Sequence, residues 1–149
     1  MPSSARLRSL LGALALTGCA AGDPGSSGPI AFTGPPQQTL ASASGALHVD
    51  VRWWPQPVHV GDGAVELAIA GTDGAPAAGV SLSVLLWMPA HGHGTSVQPE
   101  ISETAPGVFV VAPLYLHMPG EWELLMSMST STSTAGTVDD QATASLTVQ

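Results

Sequence analysis

The chain contains no lysine, three arginines and a single cysteine, and only 9% of its 149 residues are charged. Nucleic-acid binding relies on clustered lysine and arginine side chains, so this composition excludes a binder of phosphate backbones. One cysteine excludes an intramolecular disulfide, so the hydrophobic core must stabilise the fold. The formal net charge of −8 gives an acidic surface that attracts cations.

The N-terminal residues have the pattern of a targeting segment. Two of the three arginines, Arg6 and Arg8, lie at the start of an apolar run over residues 7–16 that is too short to cross a bilayer. A charged stretch followed by a short apolar run predicts a signal peptide, here over residues 1–18.

The end of this run, Leu16-Thr17-Gly18-Cys19, resembles the bacterial lipobox. The resemblance implies that a signal peptidase cuts before Cys19 and that this cysteine carries a lipid; an ordinary secretory signal with an incidental cysteine is the alternative. Ala20 then stands at the second mature position, which favours the outer membrane, facing the periplasm, over the inner one. Residues 19–46 are rich in Gly, Ser and Pro and predict a lipidated cysteine followed by a flexible tether.

Residues 47–149 form the folded domain in this interpretation. Segments with alternating apolar and polar residues predict strands, and turn signals such as Pro106-Gly107 separate them. The predicted strands cover residues 47–53, 64–70, 80–87, 96–102, 108–116, 121–128 and 142–148, and a Ser/Thr tract over 127–134 is either strand edge or loop. About seven short strands without a helix predict an all-β fold, an immunoglobulin-like antiparallel β-sandwich.

Two short blocks carry the chemistry of this domain, Met88-Pro-Ala-His-Gly-His-Gly94 and His117-Met-Pro-Gly-Glu-Trp122. They hold three of the five histidines and two of the five methionines. Imidazole and thioether together suit copper, Cu(I) above all, better than magnesium or calcium, which prefer oxygen ligands. The sequence therefore predicts a copper site, with zinc or no metal as the alternatives.

The sandwich topology predicts where the two blocks lie. If every strand crosses the sandwich once, successive connections alternate between its two ends. The connections after the first, third and fifth predicted strands then share one end, and the two blocks lie in the last two of these. His59, a reserve ligand, falls at the same end, and His48 falls at the other. The prediction fails if the weak strand over 96–102 is absent.

The ordered motifs resemble the YtkA-like/FixH-like family of small extracytoplasmic immunoglobulin-like domains. The resemblance rests on Pro57-Val-His-Val-Gly-Asp-Gly, on Trp87-Met-Pro-Ala-His-Gly-His-Gly and on Leu116-His-Met-Pro-Gly-Glu-Trp-Glu-Leu. It implies copper handling or the assembly of haem-copper oxidases.

By motif position, the family resemblance implies that Met88, His91, His93 and Met118 are the ligand candidates. The chain departs from the pattern at His91, where many relatives have methionine. More imidazole in the donor set also admits Cu(II) or zinc.

Each candidate ligand has a second interpretation. Met88 continues the inward series of its strand, so it is either core or ligand. His91 and His93 flank a glycine in a loop, where we expect ligands rather than plain surface residues. His117 and Met118 point to opposite faces if the strand continues through them, so only one is expected to bind. The family pattern favours Met118, and the chemistry of the side chain favours His117.

Three classes of function compete at this point. The first is a membrane-anchored lipoprotein that binds copper through a His/Met loop site and delivers it to an envelope copper protein or an oxidase subunit. The second is a metal-free interaction module of the cell envelope, because the fold alone implies no chemistry. An enzyme ranks last, since no Ser-His-Asp elbow or phosphate loop is evident. We therefore expect a protein that is not an enzyme and has no nucleic-acid partner.

Overall fold

The computed structural model describes residues 30–132 and 136–149. The predicted signal peptide and Cys19 lie outside the described residues. Within the described part, no helix has the length and apolar character that a membrane crossing requires.

Residues 30–132 and 136–149 contain nine strands, most of which alternate apolar and polar residues, because one face of a strand can then enter a core while the other meets water. Their bounds are β1 Gln38–Ala41, β2 Leu47–Trp54, β3 Gly61–Gly71, β4 Val80–Met88, β5 His93–Gly94, β6 Glu100–Ala105, β7 Val108–Leu116, β8 Gly120–Thr132 and β9 Gly136–Val148. The Ser/Thr tract is mostly strand, since β8 continues to Thr132.

The strands form two antiparallel sheets, in the orders β1-β2-β3-β7-β6 and β5-β4-β8-β9. Without the short strands β1 and β5, the orders are β2-β3-β7-β6 and β4-β8-β9. This is the constant-type immunoglobulin arrangement of four strands on three. The predicted β-sandwich is confirmed, with nine strands instead of about seven.

The two extra strands explain the difference from the sequence prediction. β1 lies in the stretch predicted as tether and pairs with β2 from Gln38↔Val51 to Ala41↔His48, so the sheet starts before the expected boundary at residue 47. β5 has two residues and closes a hairpin with the end of β4. The weak strand predicted over 96–102 is present as β6, shifted to Glu100–Ala105.

The core lies between the two sheets and confirms the predicted alternation. In β8 the buried residues occur at every second position: Trp122, Leu124, Met126 and Met128. Facing them from the larger sheet are inward residues of β2, β3 and β7, namely Val49, Val51, Val65, Leu67, Ile69, Val111, Leu114 and Leu116. Trp122, a large aromatic side chain, is fully buried at the start of β8.

A buried acid fastens the β1–β2 turn to β9, at the end of the sandwich opposite the two blocks. Asp140 is 6% exposed and accepts hydrogen bonds from the Ser44 hydroxyl at 2.6 Å, the Ser44 amide at 3.0 Å and the Gln141 amide at 2.9 Å. Burial by itself would raise the pKa of this carboxyl, but the hydroxyls of Ser42 and Ser44 and the two amides outweigh it. They lower the pKa of Asp140 from 3.8 to about 2.

Candidate metal centre

The first block forms the hairpin between β4 and β5. The amides of His91 and Gly92 both donate to the carbonyl oxygen of Met88, at 3.1 and 3.0 Å. Gly92 adopts a φ of 67°, a left-handed conformation that glycine reaches without steric cost. The glycine between the two histidines therefore lets the chain reverse, and it leaves His91 exposed and His93 half-buried.

The second glycine of the block has a different role. A Cβ atom on Gly94 would lie 2.4 Å from the carbonyl oxygen of Leu86, so only glycine lets β5 approach β4 this closely. β5 pairs Gly94 with Trp87 and His93 with Met88. The short strand thus fixes the backbone of His93 beside the end of β4.

The second block connects β7 to β8 and contacts the first through Met88. The indole Nε1 of Trp122 donates to the carbonyl oxygen of Met118 at 3.0 Å, which holds the connection against the core. A Cβ atom on Gly120 would lie 2.7 Å from the Cε of Met88. Gly120 therefore leaves the space that the Met88 side chain fills.

The two blocks present their histidines as a row of rings. The ring centroids of His91 and His93 are 5.7 Å apart, and those of His93 and His117 are also 5.7 Å apart, with the latter pair stacked at 21°. The row ends on Trp122, whose ring meets His117 edge-on at 5.3 Å. The prediction that the two blocks are neighbours is confirmed, because His93 and His117 come from different blocks.

The methionines of the two blocks are more buried than His91 and His117. Met88 is 2% exposed and belongs to the core, and Met118 is partly buried and packs against the core. This placement favours the core interpretation of Met88, and it separates His117 from Met118 as the alternation predicted. The role of Met88 and Met118 as ligands stays a prediction.

An acidic residue lies next to the row. Val60, Gly61 and Asp62, from the start of β3 and the residue before it, form with the end of β7 a cleft of about 300 Å³ that also includes His117. A carboxylate in the same cleft as an imidazole raises the local affinity for cations. His59, in the β2–β3 connection, is exposed and hydrogen-bonds the carbonyl oxygen of Pro57 at 3.1 Å through Nδ1.

The separation of the rings fits binding of an ion by neighbouring pairs. Two imidazoles that share one ion at about 2.0–2.1 Å from each nitrogen have ring centroids about 5–6 Å apart. Both His91–His93 and His93–His117 have this separation, but the rings of His93 and His117 are nearly parallel at 21°, so one of them must rotate before both nitrogens face one ion. However, among the described residues, no group of three or more His, Cys, Asp or Glu side chains is gathered closely enough to hold a metal ion. A third donor would have to arrive by rotation of an exposed side chain or from another molecule.

The sequence and the fold agree with one known family. The family model described as YtkA-like matches residues 42–126, more than half of the chain. The chain belongs to the YtkA-like family. No curated protein and no solved structure matches this YtkA-like chain. The match starts at Ser42, between β1 and β2, and ends within β8, so it includes both blocks of the YtkA-like domain.

Two features of the YtkA-like domain were not predicted as parts of the site. Trp122 lies in the core, and its ring also packs against that of His117. Asp62 lies beside the end of β7 because it pairs with Tyr115. The sequence did contain a signal for Asp62, because Asp62 lies in the connection after the first predicted strand, which was predicted to share one end of the sandwich with the two blocks. The same rule predicted the position of His59.

Proposed function

We propose that this YtkA-like protein binds one copper ion reversibly at the end of its sandwich and passes it to another envelope protein, such as an oxidase subunit under assembly. The observation that supports this most directly is the row of His91, His93 and His117, whose neighbouring ring centroids are 5.7 Å apart. Imidazole is a ligand that copper accepts readily. The fold brings His117 beside His93, which belongs to the other block.

His93 is the central ligand in this proposal, because it neighbours both other histidines. His91 and His117 are exposed, so either ring can rotate towards an ion held by His93. Because Met88 belongs to the core and Met118 packs against it, the exposed donors of the two blocks are imidazoles. Such a set suits Cu(II) and zinc as well as Cu(I), so the preference for Cu(I) is an expectation of the sequence that the titration below addresses.

Transfer fits the exposure of the site. A pair of imidazoles leaves coordination positions open, and an incoming donor from a partner can enter there. The excess of acidic side chains favours the approach of cations. Among the described residues, Arg52 is the single Lys or Arg, and its charge is paired with Glu66 at 3.0 Å.

A direct test is a competition titration of the purified protein with Cu(I) under anaerobic conditions, and with Cu(II) and zinc in parallel. We expect one equivalent to bind, and we expect the fluorescence of Trp122 to fall as it does so, because its ring touches His117. Replacing His91 and His93 together with alanine should abolish binding while the unfolding midpoint stays within error, since both residues lie outside the core.

The matched control is His48→Ala, which removes an exposed histidine at the opposite end of the sandwich. It should bind as the unaltered protein does. Full affinity in the His91/His93 double variant, or equal losses in both variants, would show that the row is not the site.

A second candidate function is a metal-free interaction module of the cell envelope. It is favoured by one observation, the lack of three convergent donor groups among the described residues. Absence of binding for all three metals would support it.

We further propose that Cys19 anchors the protein to a bacterial membrane through a lipid, with the domain on the extracytoplasmic side. The lipobox-like Leu16-Thr17-Gly18-Cys19 supports this. Cys19→Ser should release the protein from the membrane fraction or leave its precursor uncut in the native host. Unchanged anchoring would refute the lipid attachment.

A further inference from the structure

The outer edge of β4 pairs with another strand over only part of its length. β5 pairs with Trp87 and Met88 alone, whereas β8 occupies the inner edge from Val80 to Trp87. Within residues 30–132 and 136–149, no strand pairs with the outer edge of β4 from Val80 to Leu86. We call this stretch the free edge. Its backbone amides and carbonyls are available to another strand, except the carbonyl of Leu86, which lies against Gly94 of β5.

The other sheet edges are protected. β6 carries Glu100 and Glu103, and charges along an edge oppose pairing with a second chain. β1 and β9 lie side by side on the opposite flank, where the side-chain amide of Gln38 donates to the carbonyl oxygen of Ser145. Each of these strands therefore shields the other.

The free edge lacks both kinds of protection. The stretch between Asp73 and Glu100 contains no Asp, Glu, Lys or Arg, in a chain with eleven acids. The free edge also contains no proline and no register shift. Leu85 is 43% exposed on the outer face, and the inward side chains of Leu82 and Val84 are only partly buried. An uncharged, regular and apolar edge is a template for strand pairing.

We propose that a second copy of this chain pairs with the free edge, β4 antiparallel to β4, about a two-fold axis at Ser83. The length of the free edge sets this register, because Ser83 is the midpoint of Val80–Leu86. A register centred there pairs the residues from Ser81 to Leu85 and stops before β5. Two four-stranded sheets then join into one continuous sheet.

The residues that meet in this register are complementary. Ser83 lies opposite its own counterpart, Leu82 opposite the counterpart of Val84, and Ser81 opposite the counterpart of Leu85. Small polar side chains thus meet small or apolar ones on the outer face. On the inner face, the half-buried Leu82 and Val84 cover each other, which removes apolar surface from water.

A second copy is favoured over an unrelated strand because the edge is complementary to itself. In an antiparallel pair of identical strands, even-numbered residues must lie opposite even-numbered ones, and odd opposite odd, for the inner and outer faces of the two strands to match. This register meets that condition. The absence of charge on the free edge also matters, because two copies of an acidic chain repel each other at most other surfaces.

The first test uses disulfide trapping in the full chain. In an antiparallel pair, the Cα atoms of opposite residues are about 4.5–5.5 Å apart, a separation that a disulfide accepts. We expect Ser83→Cys to give a covalent dimer on mild oxidation with diamide. Ser127→Cys is the matched control, because Ser127 is the exposed neighbour of Ser83 on the interior strand β8. The unaltered chain reports any contribution from Cys19.

The proposal is supported if Ser83→Cys forms the covalent dimer and Ser127→Cys does not. Equal yields for Ser83→Cys and Ser127→Cys overturn it, and so does a cross-link of Ser83→Cys to a different protein.

The second test measures the dissociation of the dimer by sedimentation and does not depend on a thiol. Ser83→Glu should weaken the dimer by about tenfold or more, because like charges then face each other at the axis. Ser83→Lys should do the same, whereas a mixture of the two variants should associate at least as tightly as the unaltered chain. Ser127→Glu should leave association within about twofold. A monomeric unaltered chain, or a mixture that fails to associate, would overturn the proposal.

Discussion

The buried carboxyl of Asp140 provides the sharpest prediction on stability. The pKa of Asp140 is lowered from 3.8 to about 2. One pKa unit corresponds to about 1.4 kcal/mol, so the full shift is worth about 2.4 kcal/mol, and screening by solvent in the pocket that Asp140 lines reduces it to about 1–2 kcal/mol. Because the folded-state pKa is below the unfolded value, this stabilisation is present above about pH 4 and is lost as the pH falls towards 2.

We expect Asp140→Asn to lower the free energy of unfolding by about 1–2 kcal/mol at pH 7. The difference from the unaltered chain should shrink as the pH falls from about 5 to 2, because the unaltered chain loses its carboxylate there. Urea unfolding followed by tryptophan fluorescence, at several pH values, measures both effects.

Asp139→Asn is the matched control, because Asp139 is the adjacent acid and its side chain is exposed. Its difference from the unaltered chain should be small at every pH. If the two variants show the same pH dependence, the hydrogen bonds from Ser42 and Ser44 do not stabilise the carboxylate, and the assigned role of the β1–β2 turn is wrong.

Three further predictions concern the site and the core. Gly94→Ala should reduce copper affinity tenfold or more in the competition titration, because its Cβ would meet the Leu86 carbonyl and displace β5; unchanged affinity would show that the position of β5 is not critical. Met88→Leu should cost less than about 1.5 kcal/mol of stability and leave affinity within twofold, as expected of a core residue, whereas a large loss of affinity would identify a ligand. Trp53→Phe should destabilise less than Trp122→Phe by about 1–3 kcal/mol in urea unfolding, because the buried Nε1 of Trp53 has no hydrogen-bond partner within the described part and that of Trp122 has one; equal costs would contradict this.

The core could be predicted because alternation is a local property of the sequence. In β8, the inward positions from Trp122 to Met128 follow from a period of two alone. β1 could not be predicted in this way, because its four residues, Gln38–Ala41, lack a strong apolar face. It forms by pairing with β2, and the turn after it is held by Asp140, far along the chain.

The sequence predicted where the candidate site lies better than it predicted which side chains form it. The count of strand crossings placed the two blocks at one end, and the contact of His93 with His117 agrees with that. The direction in which Met88 points depends on the free space at Gly120, and no local pattern encodes a contact between residues so distant in sequence. The sequence alone therefore could not decide whether Met88 is a core residue or a metal ligand.

The packing of Met88 over Gly120 constrains how the family can vary. The two positions share one volume, because a side chain at 120 and a long side chain at 88 would occupy the same space. Gly120 also has a φ of 130°, a backbone conformation that residues with a side chain rarely adopt, so we expect glycine at this position whatever residue stands at 88. A side chain at 120 would push Met88 and the first block away from the second and alter the distance between His93 and His117.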